Sequence, residues 1–179
     1  MHTPRLRPLT AAVLLCLLPL AARADEAVTE TPRPSSVPGA RVYLGGVTMT
    51  PDSGSPGSGG VIGFQSFLGK GGVLNSFWGV EILGVKVNDS SFLPFLTGDF
   101  GLRLMPWPEG FLRPYLKGGV GVTFILILPV PSLTLSLGLG IPIGRELVID
   151  VALTARRAFN LFNVNNSLTL GVLEVGVGF

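Results

Sequence analysis

Apolar residues and small or polar residues alternate with a period of two along much of the chain. In the stretch 133–141 a leucine or isoleucine occupies every second position, and threonine, serine or glycine lies between them. The stretch 147–156 repeats the pattern, with Asp150 and Arg156 on the less apolar face. Because successive side chains of a β-strand point to opposite faces, this pattern predicts strands with one apolar face.

Turn-forming residues divide the chain after residue 40 into eight such segments. The predicted strands are 41–50, 59–69, 73–87, 92–105, 112–128, 131–141, 146–157 and 167–179. In the first strand the pattern does not indicate which residues share a face, since Val42, Tyr43, Leu44 and Val47 are all apolar. In the last strand the apolar face changes at 172–173, where a β-bulge would add one residue to the strand.

The uncharged stretch 118–144 allows a competing interpretation as one or two transmembrane helices. Pro129 and Pro131 would break a helix near the centre of this stretch, and strict alternation is not a helical pattern. We therefore predict two strands joined by a tight turn at Pro129-Val130-Pro131. The other predicted connections are 51–57, 88–91 and 158–166 at one end, and 69–72, 105–110 and 142–145 at the other.

The first 24 residues have the three-part layout of a secretory signal peptide. Arg5 and Arg7 come first, an apolar stretch over 9–20 follows, and Ala22-Arg23-Ala24 offers a cleavage site. The apolar stretch is too short for a spanning helix, which needs about 20 residues. Cys16 follows two leucines rather than the small residues of a lipoprotein signal, so we do not expect lipidation.

The expected organisation has three parts. Residues 1–24 form a cleaved signal peptide. Residues 25–40, which are rich in proline and small polar residues, form a disordered periplasmic lead-in. Residues 41–179 form the membrane barrel.

Removal of the signal peptide changes the charge and the available chemistry. The whole chain has 13 basic and 11 acidic residues, and three of the arginines precede residue 25, which leaves a net charge of −1. The only histidine, His2, and the only cysteine, Cys16, are removed as well. The remaining chain therefore has no residues for a disulfide, for a thiolate or imidazole metal site, or for a Ser-His or Cys-His nucleophile. We expect no cofactor, no metal, and no nucleic-acid partner.

The composition favours a membrane barrel over a soluble one. All 25 glycines follow the signal peptide, and charged residues are sparse. Glycine is also frequent on the less apolar face of the strands, where it suits the crowded interior of a narrow barrel. The predicted fold is thus an all-β, transmembrane, antiparallel up-and-down β-barrel of eight strands, with its apolar face toward lipid.

The less apolar face of these strands carries seven charged residues, which such a barrel would hold in its interior. They are Glu81, Asp99, Arg103, Lys117, Asp150, Arg156 and Glu174. Buried charges need partners, so we expect a plug of ion pairs. We expect Glu81, Asp99 and Arg103, on the adjacent third and fourth strands, to form its core. The alternative is a narrow ion path through the barrel.

The chain ends in an alternating strand, with Leu173, Val175, Val177 and Phe179 on one face and an aromatic last residue. It resembles the C-terminal strand by which the outer-membrane assembly machinery recognises its substrates. The whole chain resembles the small outer-membrane barrels of the OmpA transmembrane-domain and OmpX type. The resemblance implies export to the outer membrane of a Gram-negative bacterium, lipid and lipopolysaccharide as surroundings, and the assembly machinery as a partner. We expect a monomer.

Three functional classes remain at this point. The preferred one is a structural or surface-interaction protein, and the second is a narrow channel or small-ligand carrier. The third is a lipid-modifying enzyme, but the barrels of that type which the chain resembles in size use a catalytic histidine, and we expect no enzyme.

The connections 51–57 and 159–166 are long enough to present a surface. Aromatic residues near strand ends suggest membrane-interface girdles. They are Trp78, Trp107, Phe111, Tyr115, Phe159 and Phe162.

Overall fold

The chain forms a closed barrel of eight antiparallel β-strands. The computed structural model describes residues 38–68, 72–87, 91–144, 146–159 and 167–179. The strands are β1 (Ala40–Pro51), β2 (Gly57–Leu68), β3 (Leu74–Val87), β4 (Ser91–Leu104), β5 (Arg113–Ile125), β6 (Leu128–Ile143), β7 (Leu147–Ala158) and β8 (Leu168–Gly178). Each strand pairs with the next, and β8 pairs with β1, which confirms the predicted all-β up-and-down barrel. The predicted signal peptide lies outside the described residues.

The two ends of the barrel differ in what they carry. β1 begins and β8 ends at one end of the barrel, which we call the terminal end. At the other end, which we call the loop end, β1, β3, β5 and β7 end and β2, β4, β6 and β8 begin. Among the described residues no helix is long and apolar enough to span a membrane.

The strands are inclined to the barrel axis. Following the register once around the barrel from Arg41 leads back to β1 at Pro51, ten residues further along. The partners on this path are Gln65, Gly79, Asp99, Gly121, Ser132, Ala158 and Leu168. This stagger corresponds to a strand tilt of about 40°, and the interior of such a barrel is just wide enough for side chains to fill it.

The period-two pattern of the sequence decides which side chains face outward. Along β6 the residues from Leu133 to Ile141 are alternately exposed and buried, with every leucine outside. Along β7 Asp150 and Arg156 are buried, while Ile149 and Leu153 are exposed. The outer surface of these strands is therefore largely apolar, and Asp150 and Arg156 lie in the lumen, whereas Arg157 near the end of β7 is exposed.

The predicted bulge in the last strand is absent. β8 pairs with β7 and with β1 in unbroken register from Leu168 to Gly178. Leu168, Leu170 and Val172 are buried in the lumen, and Leu173 is outside. The apolar pattern changes face because the lumen itself is apolar at the loop end.

The same apolar lumen explains the ambiguity of the first strand. Tyr43 and Val47 point into the lumen, whereas Val42 and Leu44 are exposed on the outer surface. Where both environments are apolar, hydrophobicity no longer alternates along the strand.

The predicted turn at Pro129-Val130-Pro131 is wrong. The turn consists of Leu126 and Ile127, with Ile125 paired to Leu128 and with Leu126 at a φ of 59°. Both prolines lie inside β6, before the ladder with β7 begins at Ser132. Proline has no backbone N–H to donate, but at these positions this costs no hydrogen bond in the ladder with β7.

The aromatic residues predicted for the girdles divide between two environments. Trp78, Trp107 and Phe111 are exposed on the outside. Tyr115 instead lies buried in the lumen, which corrects its assignment to a girdle. Phe162 lies outside the described residues.

Candidate functional site in the barrel lumen

The lumen is built in two layers, an apolar layer at the loop end and a polar layer in the middle and at the terminal end. The apolar layer is a single packed cluster, into which Tyr43 extends from the polar layer. Its other buried members are Val47, Met49, Val61, Leu83, Val85, Phe95, Ala158, Leu168, Leu170 and Val172. The period-two pattern does not predict this layer, because it places small and polar residues at the lumen-facing positions.

Arg156 holds the first group of charges together in the polar layer. Its Nη1 lies 2.5 Å from Glu81 Oε2, and its Nη2 forms an ion pair with Asp99 Oδ2. Arg156 is on β7 and Glu81 is on β3, so this ion pair crosses the lumen between opposite walls. The hydroxyl of Tyr43 donates a hydrogen bond of 2.5 Å to Glu81 Oε1, and Arg156 Nε donates one of 3.2 Å to Thr134 Oγ1.

Arg41 holds the second group together. Its Nη2 lies 2.5 Å from Asp150 Oδ1, and its Nη1 lies 2.7 Å from Glu174 Oε2. The Tyr115 hydroxyl donates to Asp150 Oδ1 at 3.2 Å, and the Thr154 hydroxyl donates to Glu174 Oε1. Each arginine thus joins two carboxylates. Glu81, Asp150 and Glu174 each accept a further hydrogen bond from a hydroxyl, whereas Asp99 Oδ1 has no partner among the described residues.

Two cations of the lumen stand apart from these groups. Lys117 Nζ donates a hydrogen bond of 2.9 Å to Gln65 Oε1, and this contact between β5 and β2 also crosses the lumen. The guanidinium carbon of Arg103 lies 3.5 Å from the ring centre of Phe67. Arg103 forms no ion pair with any residue that the structure describes, and its Nε and Nη2 lack hydrogen-bond partners there.

All seven charged residues predicted for the interior are buried in the lumen. The structure brings Glu81, Asp99 and Arg156 together in one group, and Asp150 and Glu174 together in the other.

The structure does not bring Arg103 to Glu81 and Asp99, as the sequence analysis expected. Arg103 and Asp99 share a face of β4, but four residues of strand separate them by about 13 Å along β4. Arg103 therefore lies nearer the terminal end.

Sequence reasoning missed two buried arginines, Arg41 and Arg113. Arg113 is the first residue of β5, and its Nε donates to the carbonyl of Gly110. Arg41 is near the start of the first strand, whose faces the sequence left undecided. Its parity with Tyr43 was the available signal, but using it required knowing that Tyr43 faces inward.

Glycines make room for the two lumenal tyrosines. Tyr43 is paired across the ladder with Gly63, and Tyr115 is paired with Gly138. In each pair the tyrosine ring occupies the place where a Cβ on the glycine would stand. Each ring can therefore lie against the barrel wall and direct its hydroxyl to a carboxylate.

The described residues contain no cluster of three or more histidine, cysteine, aspartate or glutamate side chains that could hold a metal ion. The carboxylates of the lumen are bound to guanidinium, phenol or threonine groups. The arrangement joins strands from all sides of the barrel through its centre.

The fold is that of the small eight-stranded outer-membrane β-barrels. It is similar to the crystal structure of Neisserial surface protein A (NspA), with a TM-score of 0.54 and 14% identity, over 78% of this chain and 95% of that one. It is also similar to the crystal structure of Ail, the attachment invasion locus protein of Yersinia pestis, with a TM-score of 0.44 and 12% identity, over 79% and 98% of the two chains. No protein-family model matches the sequence, and no curated protein matches it. At these identities the similarity establishes the fold alone.

Proposed function

We propose that this protein is an outer-membrane β-barrel with a closed lumen, and that it acts as a structural or surface-interaction protein rather than as a channel. The observation that carries the proposal is the cross-lumen ion pair between Arg156 and Glu81, which lies directly below the apolar layer. An ion that passed through the lumen would have to cross both.

Each layer opposes the passage of ions for its own reason. In the polar layer, a path would require separation of a buried ion pair, which leaves charges without compensation. In the apolar layer, Leu83, Val85 and Leu170 are completely buried within a single packed cluster. A hydrated ion would lose its water there without gaining polar contacts.

The outer surface supports a place in the outer membrane. Large apolar side chains such as Leu44, Ile82, Leu137 and Leu153 are exposed around the whole barrel. In water this surface would be a strong aggregation hazard, whereas lipid and lipopolysaccharide acyl chains would cover it. We propose that the chain is exported with a cleaved signal peptide and inserts there as a monomer.

The last strand supports the proposed route of assembly. Leu173, Val175 and Val177 face outward in one row, and Phe179 follows at the terminal end. The backbone of Phe179 exchanges hydrogen bonds of 2.9 and 3.0 Å with that of Ala40, which closes the barrel between β8 and β1. The assembly machinery would thus recognise the strand that seals the barrel.

A catalytic role has little support in the lumen. General acid–base chemistry needs a carboxyl group that can reach a substrate proton. Glu81, Asp99, Asp150 and Glu174 are all buried in ion pairs. We propose that these carboxylates have a structural role.

A solute-flux assay tests the closed lumen. The purified protein and an open porin, as the positive control, are placed at equal amounts in liposomes, and swelling in an isotonic solution of a small sugar is recorded. We expect liposomes with this protein to swell no faster than protein-free liposomes. Swelling at a rate near that of the porin would reject the closed barrel and favour a channel or carrier.

A further inference from the structure

The tip of the β5–β6 hairpin is an aliphatic turn that is exposed on the protein surface. Leu126, Ile127 and Leu128 are 67%, 87% and 65% exposed. Tight turns normally use glycine, asparagine or aspartate, above all where φ is positive, as it is at Leu126. The sequence thus places aliphatic residues where turn geometry and water would both favour polar ones.

The outer surface below this tip is apolar without interruption. On β5, Leu116, Val120, Val122 and Phe124 are exposed one above the other, with Gly118 between them. On β6 the outward row runs from Ile143 to Leu133 and ends in Pro131 and Pro129. No charged residue occurs between positions 118 and 144. On the neighbouring strand β4, Leu96 and Phe92 extend the surface to the same height.

The opposite wall of the barrel is polar at the same height. On β1 the outward residues after Leu44 are Gly46, Thr48 and Thr50, and on β8 the outward residues before Leu173 are Gly171 and Thr169. Beside them Arg157 forms an exposed ion pair of 2.9 Å with Asp52.

The apolar surface therefore extends further toward the loop end on one side of the barrel than on the other. With a strand tilt of about 40° and a rise of 3.3 Å per residue, the hairpin tip lies about 15 Å nearer the loop end than Leu44 and Leu173 do. β5 is opposite β1 in the strand order, so the apolar surface reaches these two different levels on opposite walls of the barrel. A membrane layer perpendicular to the barrel axis would leave either the tip in water or the threonines in lipid.

We propose that the β5–β6 tip, residues 126–128, inserts into the hydrocarbon layer of the membrane, and that the barrel leans toward β5 to achieve this. The proposal rests on the proposed membrane location of the barrel. Acyl chains are the occupant that fits the tip, because the tip continues the lipid-facing surface of β5 and β6 without a polar boundary. The lean also lifts Arg157 and Thr169 toward water.

Single-cysteine variants test this placement, since the chain after residue 24 has no cysteine. Ile127→Cys reports on the tip, Leu137→Cys in the middle of β6 is the lipid reference, and Ser55→Cys in the β1–β2 connection is the water reference. Each is labelled with a fluorophore in bilayers that contain lipids spin-labelled on their acyl chains. Quenching by these lipids is compared with quenching by aqueous iodide. Leu128→Cys is a second tip position in case Ile127→Cys folds poorly.

We expect the tip label to be quenched by the spin-labelled lipids nearly as strongly as the label at Leu137, and several-fold less by iodide than the label at Ser55. A tip quenched by iodide as readily as Ser55, while Leu137 stays in lipid, would overturn the insertion of the tip and leave the membrane barrel intact. A tip protected from both quenchers would indicate a second protein copy or a partner, and would also overturn it. Iodide quenching at Leu137 would instead contradict the membrane location itself.

Discussion

Arg156 on β7 and Glu81 on β3 are joined across the centre of the barrel, with their nearest atoms 2.5 Å apart. The contact ties together two walls that have no strand ladder between them. Because Arg156 also binds Asp99 on β4, a single side chain connects three strands. Arg156 is therefore the lumenal residue whose replacement should destabilise the barrel most.

Replacement of Arg156 should destabilise the barrel much more than replacement of Arg103. Arg156→Met leaves two buried carboxylates without their cation, which costs about 3–5 kcal/mol when the site is dry and less if water enters. Arg103→Met removes a cation that has no ion-pair partner among the described residues, so it should be close to neutral or stabilising. Urea titrations of both variants, followed by the change in electrophoretic mobility on unfolding, measure the difference. A larger loss for Arg103→Met would show that the ion pairs have been assigned to the wrong arginine.

Arginine on the outer face should be poorly tolerated. Leu137 is exposed in the middle of β6, and Leu137→Arg should lower the free energy of unfolding in lipid by about 2–4 kcal/mol. Ser55→Arg, in the β1–β2 connection, is the matched control and should change it little. Equal stability of the two variants in folding titrations would contradict the assignment of the outer face to lipid.

The packing of each lumenal tyrosine ring should depend on the glycine that lies opposite it on the neighbouring strand. Gly138→Val would place a side chain where the Tyr115 ring lies, and overpacking of this kind typically costs about 1–3 kcal/mol. Gly118→Val is the control on the same hairpin, because among the described residues nothing lies within reach of a Cβ there. Tyr115→Ala should recover part of the stability lost in Gly138→Val. Failure of this second change to help would mean that the glycine is needed for another reason.

The C-terminal residue should matter for assembly. Phe179→Asp keeps the backbone hydrogen bonds to Ala40 but removes the terminal aromatic side chain. We expect slower insertion into the outer membrane with normal export, so that unfolded protein accumulates in the periplasm. Deletion of Phe179 should be more severe, since it also removes those hydrogen bonds. Normal insertion of both variants, measured by pulse-labelling, would contradict the role of this strand as the assembly signal.

The parts of the fold that the sequence predicts are those where the two faces of a strand meet different surroundings. β6 alternates strictly because one face is outside and the other meets the polar layer. β7 alternates less strictly, but Asp150, Thr154 and Arg156 mark its inner face, so the facing of both strands could be assigned without a structure. β1 and β8 pass through the apolar layer, where both faces are apolar, and there the pattern fails. In β8 the apolar residues Leu168, Leu170 and Val172 therefore suggest a bulge, but the register of the strand is unbroken.

The partners of the lumenal charges could not be predicted, although the interior location of seven of them could. Pairing depends on the stagger of the strands around the barrel, which brings Arg156 rather than Arg103 to Asp99. No local pattern in the sequence encodes that stagger.

The position of the β5–β6 turn could not be predicted for a different reason. The expectation relied on proline, whereas the turn uses aliphatic residues and the prolines occupy strand positions without a partner strand on one side.

Planar-bilayer recording of the wild-type protein tests the closed lumen most directly. An open porin added afterwards to the same bilayer shows that insertion and conductance can be detected. We predict no steady conductance steps from the wild-type protein at moderate voltage, and lower resistance to denaturant in Arg156→Met. Stable open steps from the wild-type protein, whose ion selectivity changes in Arg156→Met while stability does not, would contradict the closed lumen and identify a channel.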